Sequence, residues 1–155
     1  MNENGMNGQE NPARPFAISG IIILCSSLAL FFFLFTKNFV ESTFWKSIIK
    51  TLGTLSMIST VLIFTKYHDI MTTISSIFGV LVVVGIIRAI YKSDLNVFKI
   101  SGIVCIVLLG INNLIYYSEY YIEYLPLIQK ITFALVLSWI VGLNIKMKNK
   151  NVLKL

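Results

Sequence analysis

His68 and Asp69 stand side by side, and His68 is the single histidine of the chain. An imidazole beside a carboxylate is a pairing that general acid–base catalysis uses, one group moving a proton while the other orients it. Glu119 and Glu123 lie four residues apart in YYSEYYIEYLP, on one face wherever that segment is helical, and Gln129 and Lys130 follow in PLIQKITF. These residues make a candidate functional surface without making a catalytic assignment. The chain has no serine-nucleophile motif, no paired carboxylates inside an apolar run and no glycine loop to cradle a phosphate. With one histidine and no Cys-x-x-Cys, neither a structural zinc site nor a bis-histidine haem assembles within one chain, and no cofactor or metal is expected. Cys25 and Cys105 each sit in a long apolar run, where a thiol acts as a small hydrophobe.

The segments that must hold these residues are strongly apolar. Of 155 residues, 56% are hydrophobic and 13% charged, and the mean hydropathy of +0.80 exceeds what a soluble core hides. The expected class is therefore all-α, a polytopic transmembrane helix bundle. At about 20 residues per crossing there is room for about five spans, and the apolar runs place them near 16–36, 48–66, 70–90, 101–117 and 127–145. Residues 1–15, polar and rich in Asn and Gly, read as a disordered tail, residues 16–145 as the bundle and residues 146–155 as a basic cytoplasmic tail. The first run is too long for a signal-peptide core and lacks a small-x-small cleavage site after it.

Finer expectations follow along the chain. The Phe31–Phe33 stretch reads as a lipid-facing bias. Lys50, near the end of its span, can snorkel to the headgroups. Asp69 reads as the N-cap of the third span. Tyr116, Tyr117, Tyr120, Tyr121 and Tyr124 form a cluster of the kind that settles at headgroup level, and Pro126 opens the fifth span where its missing N–H costs nothing.

The formal net charge of +6 comes from 13 Lys and Arg against 7 Asp and Glu. Basic residues are retained on the cytoplasmic side of membrane proteins, and no basic stripe interleaved with aromatics suggests a nucleic-acid partner. Five spans put ten basic residues on the C-terminal side and three, Arg14, Lys66 and Lys130, on the other. That split favours a cell-membrane protein, plasma or bacterial inner, with its N-terminus outside and its C-terminus cytoplasmic.

Small residues at helical spacing supply packing faces: Ala134, Ser138 and Gly142 on the fifth span, Ser75 and Gly79 on the third, Gly102 and Gly110 on the fourth. Packing within the chain is the first reading, a homo-oligomer interface the second. Asn112 and Asn113, in GINNLIYY, should face another helix as hydrogen-bonding glue or else line a ligand or ion site.

A histidine opening one span (HDIMTTISSIFG), followed later by a Leu-x-Gln-basic stretch opening the last span with a Trp further in (PLIQKITFALVLSWIVGLNIK), resembles the uncharacterised prokaryotic membrane-protein family called domain of unknown function 998. The resemblance covers the C-terminal half, from His68 onward. Members usually have six spans and an Arg where this chain has Lys130. The family implies no established reaction, and the resemblance implies that His68, Gln129 and Lys130 are neighbours on one face of the membrane.

Two functions fit these features. One is a small non-enzymatic multi-pass protein that binds membrane lipids or a membrane-protein partner, as an accessory or immunity factor would. The other is a lipid-binding or lipid-processing enzyme whose site at the outer interface uses His68, Asp69 and Glu119 or Glu123. A transporter ranks below both, because conduction routes leave ionisable residues at depth and the middles of the spans contain none.

Overall fold

The computed structural model describes residues 11–91, 93 and 95–152, with side chains as far as Lys146. Residues 1–10 of the expected tail, Lys92 and Asp94, the side chains of Lys148 and Lys150, and Lys154 lie outside the described set. Among the described residues all regular structure is helical: α1 (Arg14–Phe39), α2 (Thr43–Leu62), α3 (His68–Ile90), α4 (Asn96–Ser118) and α5 (Leu125–Val152), with a single 3-10 turn at Ile122–Tyr124 before α5. Pro15 and Pro126 both fall in first turns, where the ring replaces an N–H that has no helical partner.

Among the described residues four segments are long and apolar enough to cross a membrane, α1, α3, α4 and Ile122–Lys146, and the chain is a helical membrane protein. Five such spans were expected. The exception is α2, whose 20 residues reach about 30 Å but include Lys46, Lys50 and a series of Ser and Thr. Part of its polarity has a physical reason: α2 is packed between α1 and α3 and turns the Ser56 and Thr60 hydroxyls toward α3, whereas Thr51 and Thr54 bond back to their own helix. Ser56 donates to the Ser75 carbonyl at 2.9 Å. Thr60 donates to the Ser56 carbonyl, which leaves the Ser75 hydroxyl to donate to Thr60 at 2.6 Å.

Neighbouring helices are antiparallel. Ile49 lies against Gly85 while Ser56 meets Ser75, and Ile87 lies against Gly102 while Thr73 meets Tyr117. The same alternation pairs Phe98 with Gly142 and Asn112 with Thr132. The core occupies the bundle from its middle to the end away from His68, through Phe35, Ile49, Val82, Ile86, Ile90, Cys105, Trp139 and Leu143. Trp139 satisfies its indole N–H on the Phe98 carbonyl at 2.8 Å, as a buried tryptophan must. Cys25 and Cys105 are buried and free of disulfides.

Two expectations are corrected. Phe31 and Phe32 do not face lipid: they are 6% and 5% exposed, and only Phe33 of the three is open, at 46%. The reason is Gly53, whose missing side chain makes room on α2 for the Phe32 ring. Phe33 in turn lies under the Lys50 ammonium, 4.7 Å from the ring centroid, so Lys50 has a cation–π partner as well as the snorkelling expected of it. Asp69 is not a cap either. The helix begins two residues earlier than such a cap would start it, with Tyr67 in the cap position and no side-chain cap bond, which places Asp69 in the first turn. There its charge still complements the helix dipole.

Candidate functional site

The loop between α2 and α3 is short, so His68 starts α3 at the end of the bundle where α4 stops and α5 begins. From His68 the sequence continues with Thr72 and Ser76 at four-residue intervals, a polar line down one face of an otherwise apolar helix. Asn112, Asn113 and Tyr116 approach from α4, and Gln129 and Thr132 from α5. Together these side chains surround a cavity of about 420 Å³. That is within the range of small-molecule sites.

Hydrogen bonds fix the wall. Asp69 accepts from Tyr116 at 2.9 Å and from His68 Nδ1 at 3.2 Å. A carboxylate only accepts, so Nδ1 carries a proton, and in the neutral imidazole Nε2 then keeps its lone pair. Tyr117 donates to Thr73, whose own proton goes to the Asp69 carbonyl. On the other side Thr132, buried, donates to the Ile128 carbonyl and accepts from Asn112 Nδ2 at 2.6 Å. Asn112 Nδ2 also donates to the Leu108 carbonyl. Both amide protons are then spent, and the buried Asn112 Oδ1 has no partner among the described residues. An unsatisfied buried acceptor costs about 1–3 kcal/mol.

Beneath this polar mouth lies a second cavity of about 310 Å³ in the middle of the bundle, walled by residues of all five helices that include Leu28, Phe32, Met57, Val82, Trp139 and Ile140. Ser76, Leu109, Phe133 and Val136 belong to both walls. The two spaces therefore adjoin; both present mainly apolar surface, and the polar side chains gather around the outer one.

Of the sequence-derived surface, His68 and Gln129 line the mouth and Asp69 stands behind His68. Glu119, Glu123 and Lys130 are exposed at the same end and are not in the wall. Asn112 serves as interhelical glue and as cavity wall, whereas Asn113 bonds back to the Leu109 carbonyl. Ser75 and Gly79 form a packing face against Ser56. The other two stripes divide. Gly102 is buried against Ile87 and Trp139 but Gly110 is open, and Gly142 meets Phe98 while Ala134 and Ser138 are exposed. Thr72, Ser76 and Thr132 were not singled out beforehand, and Tyr116 only as a member of the tyrosine cluster. The four-residue polar line after His68 was the signal available for two of them.

Among the described residues no three His, Cys, Asp or Glu side chains gather where a metal could be held. At the opposite end a recess of about 460 Å³ includes Glu41, Trp45, Arg88 and Tyr91. No family model matches the chain, and no curated protein or solved structure is similar to it.

Proposed function

We propose that this is a multi-pass protein of the cell membrane that binds a membrane amphiphile without transforming it, the polar head in the His68–Gln129 mouth and the alkyl part in the cavity below. The observation that carries the reading is the shared wall of Ser76, Leu109, Phe133 and Val136. A mainly apolar channel with polar side chains gathered at its outer end suits an amphiphile, whose chain it covers and whose head it meets at the rim.

In this reading α2 is a fifth crossing, the mouth is at the outer boundary and the C-terminus is cytoplasmic. Support comes from the alternation of the helices, which gathers Lys37, Lys46, Lys50, Arg88, Lys99 and Lys146 at the end away from the mouth. Kinship with the domain of unknown function 998 proteins would make His68, Gln129 and Lys130 neighbours on one face of the membrane without assigning them a role.

The test is lipid extraction and mass spectrometry on protein purified in mild detergent. Wild type should retain a stoichiometric amphiphile, and Val136→Phe, which fills the junction, should lose it while remaining folded. Equal lipid content in both removes the basis for the proposal.

One observation favours a second reading, a lipid-processing enzyme. Asp69 holds His68 Nδ1–H, leaving Nε2 free to act as a general base. His68→Ala separates the two. Under the binding reading it weakens retention, whereas under the enzyme reading the bound lipid accumulates unchanged.

A further inference from the structure

We infer that the mouth selects for a head that donates hydrogen bonds, a hydroxyl or an amine on a single alkyl chain, and discriminates against phosphate and carboxylate heads. The inference rests on the amphiphile reading above and deepens it. Its starting point is where the protons of the wall have gone. Thr72 gives its hydroxyl proton to the His68 carbonyl, Thr132 gives its own to the Ile128 carbonyl, and Tyr116 gives its own to Asp69. His68 uses Nδ1–H on the same carboxylate, and both Asn112 amide protons are committed.

What these groups have left is lone pairs, while Ser76, with its hydroxyl, and Asn113, with its second amide hydrogen, each keep a proton to give. Thr72 Oγ1, the Tyr116 oxygen, His68 Nε2 and Asn112 Oδ1 are acceptors once their protons are spent. Gln129 is the flexible member, able to turn either end of its amide inward. The cation at this end of α5, Lys130, is exposed outside the wall. An anionic head placed here would find neutral donors only from Ser76, Asn113 and Gln129, with the acceptors and the Asp69 carboxylate against it, and would give up its hydration without charge-assisted partners. A hydroxyl or amine would find acceptors already oriented.

The apolar cavity of about 310 Å³ limits the tail. Its wall includes Trp139, which makes occupancy visible: a brominated alkyl chain seated there quenches indole fluorescence by contact. The experiment uses the full chain carrying Trp45→Phe in nanodiscs, so that Trp139 is the reporter. The probes are dibrominated stearoyl chains bearing a glycerol ester, a primary amine, a free carboxylate or a lysophosphatidate head.

The glycerol and amine probes should quench at a mole fraction about tenfold lower than the two acidic probes. Gln129→Lys, a change at an exposed position, should reverse that order by adding a cation to the mouth. Equal quenching by all four probes, or preference for the acids in the unmodified wall, overturns the head-group inference while leaving the amphiphile site standing. Absence of saturable quenching by any probe, with Val136→Phe indistinguishable from its parent, overturns both.

Discussion

Tyr116 donates its phenolic hydrogen to Asp69 across 2.9 Å, joining the last turn of α4 to the first turn of α3. The bond also keeps Asp69 oriented toward His68, so one contact serves the helix pair and the candidate site together. Replacing Tyr116 with Phe keeps the ring and removes the bond. Amide hydrogen exchange should then quicken in the terminal turns of α3 and α4 and stay unchanged at Ile86 and Cys105. Unchanged exchange at the ends would show that packing alone holds them.

Where helices touch through glycine, size is the sensitive variable. A Cβ on Gly53 would come within 2.5 Å of the Phe32 ring, and one on Gly102 within 2.9 Å of Trp139, whereas Gly110 has open space. Gly53→Leu and Gly102→Leu should each lower stability in detergent by about 1–3 kcal/mol. Gly110→Leu should change it by no more than about 0.5 kcal/mol. A comparable loss at all three positions would contradict the packing described.

The exposed half of the α5 stripe gives a different expectation. Ser138→Leu should leave the thermal stability of the monomer unchanged and Gly142→Leu, facing Phe98, should lower it. Light scattering on the same samples reads the oligomeric state. A dimer that Ser138→Leu dissociates, with the monomer intact, would assign Ala134 and Ser138 to contact between copies.

Glu119 caps α4 in the left-handed region, at φ 59°, its amide bonded to the Ile115 carbonyl. Tyr121 is left-handed too, at φ 60°. Side chains resist this conformation and glycine does not. Glu119→Gly should raise stability by about 0.5–1 kcal/mol and leave amphiphile retention intact, since Glu119 is outside the cavity wall. Destabilisation by the glycine would mean that the turn is held by its side chain.

Reporter fusions test the arrangement relative to the membrane. One placed after Tyr121 and one after Lys150 should report opposite sides, the second cytoplasmic. The same side for both would exclude a crossing between them.

Much of this was legible because membrane helices advertise themselves by length and apolarity, and each of the five runs became a helix, although α2 and α4 begin about five residues early and α5 continues about seven residues into the expected tail. The exceptions share a cause. Phe32 looked lipid-facing because an apolar side chain serves equally well against lipid or a helix, and only the opposite Gly53 decides which. Ala134 and Ser138 looked like a buried face for the complementary reason, that spacing marks a stripe without naming its partner. His68 and Gln129 could be placed at the same end from topology alone. Their sharing of one cavity depended on the rotation of α3 and α5, which the pairing of Asn112 with Thr132 helps to set.

The polarity of α2 has a consequence for the birth of the protein. A segment that carries Lys46, Lys50 and so many hydroxyls partitions weakly into lipid alone, yet Ser56 and Thr60 find their partner in Ser75 of α3. The loop between the two helices is short enough for that pairing to form as soon as α3 emerges from the ribosome. Entry of α2 into the bilayer is thus expected to await α3, the two leaving the translocon as a hairpin, so that a mutation in α3 at Ser75 would be felt first as misinsertion of the helix before it.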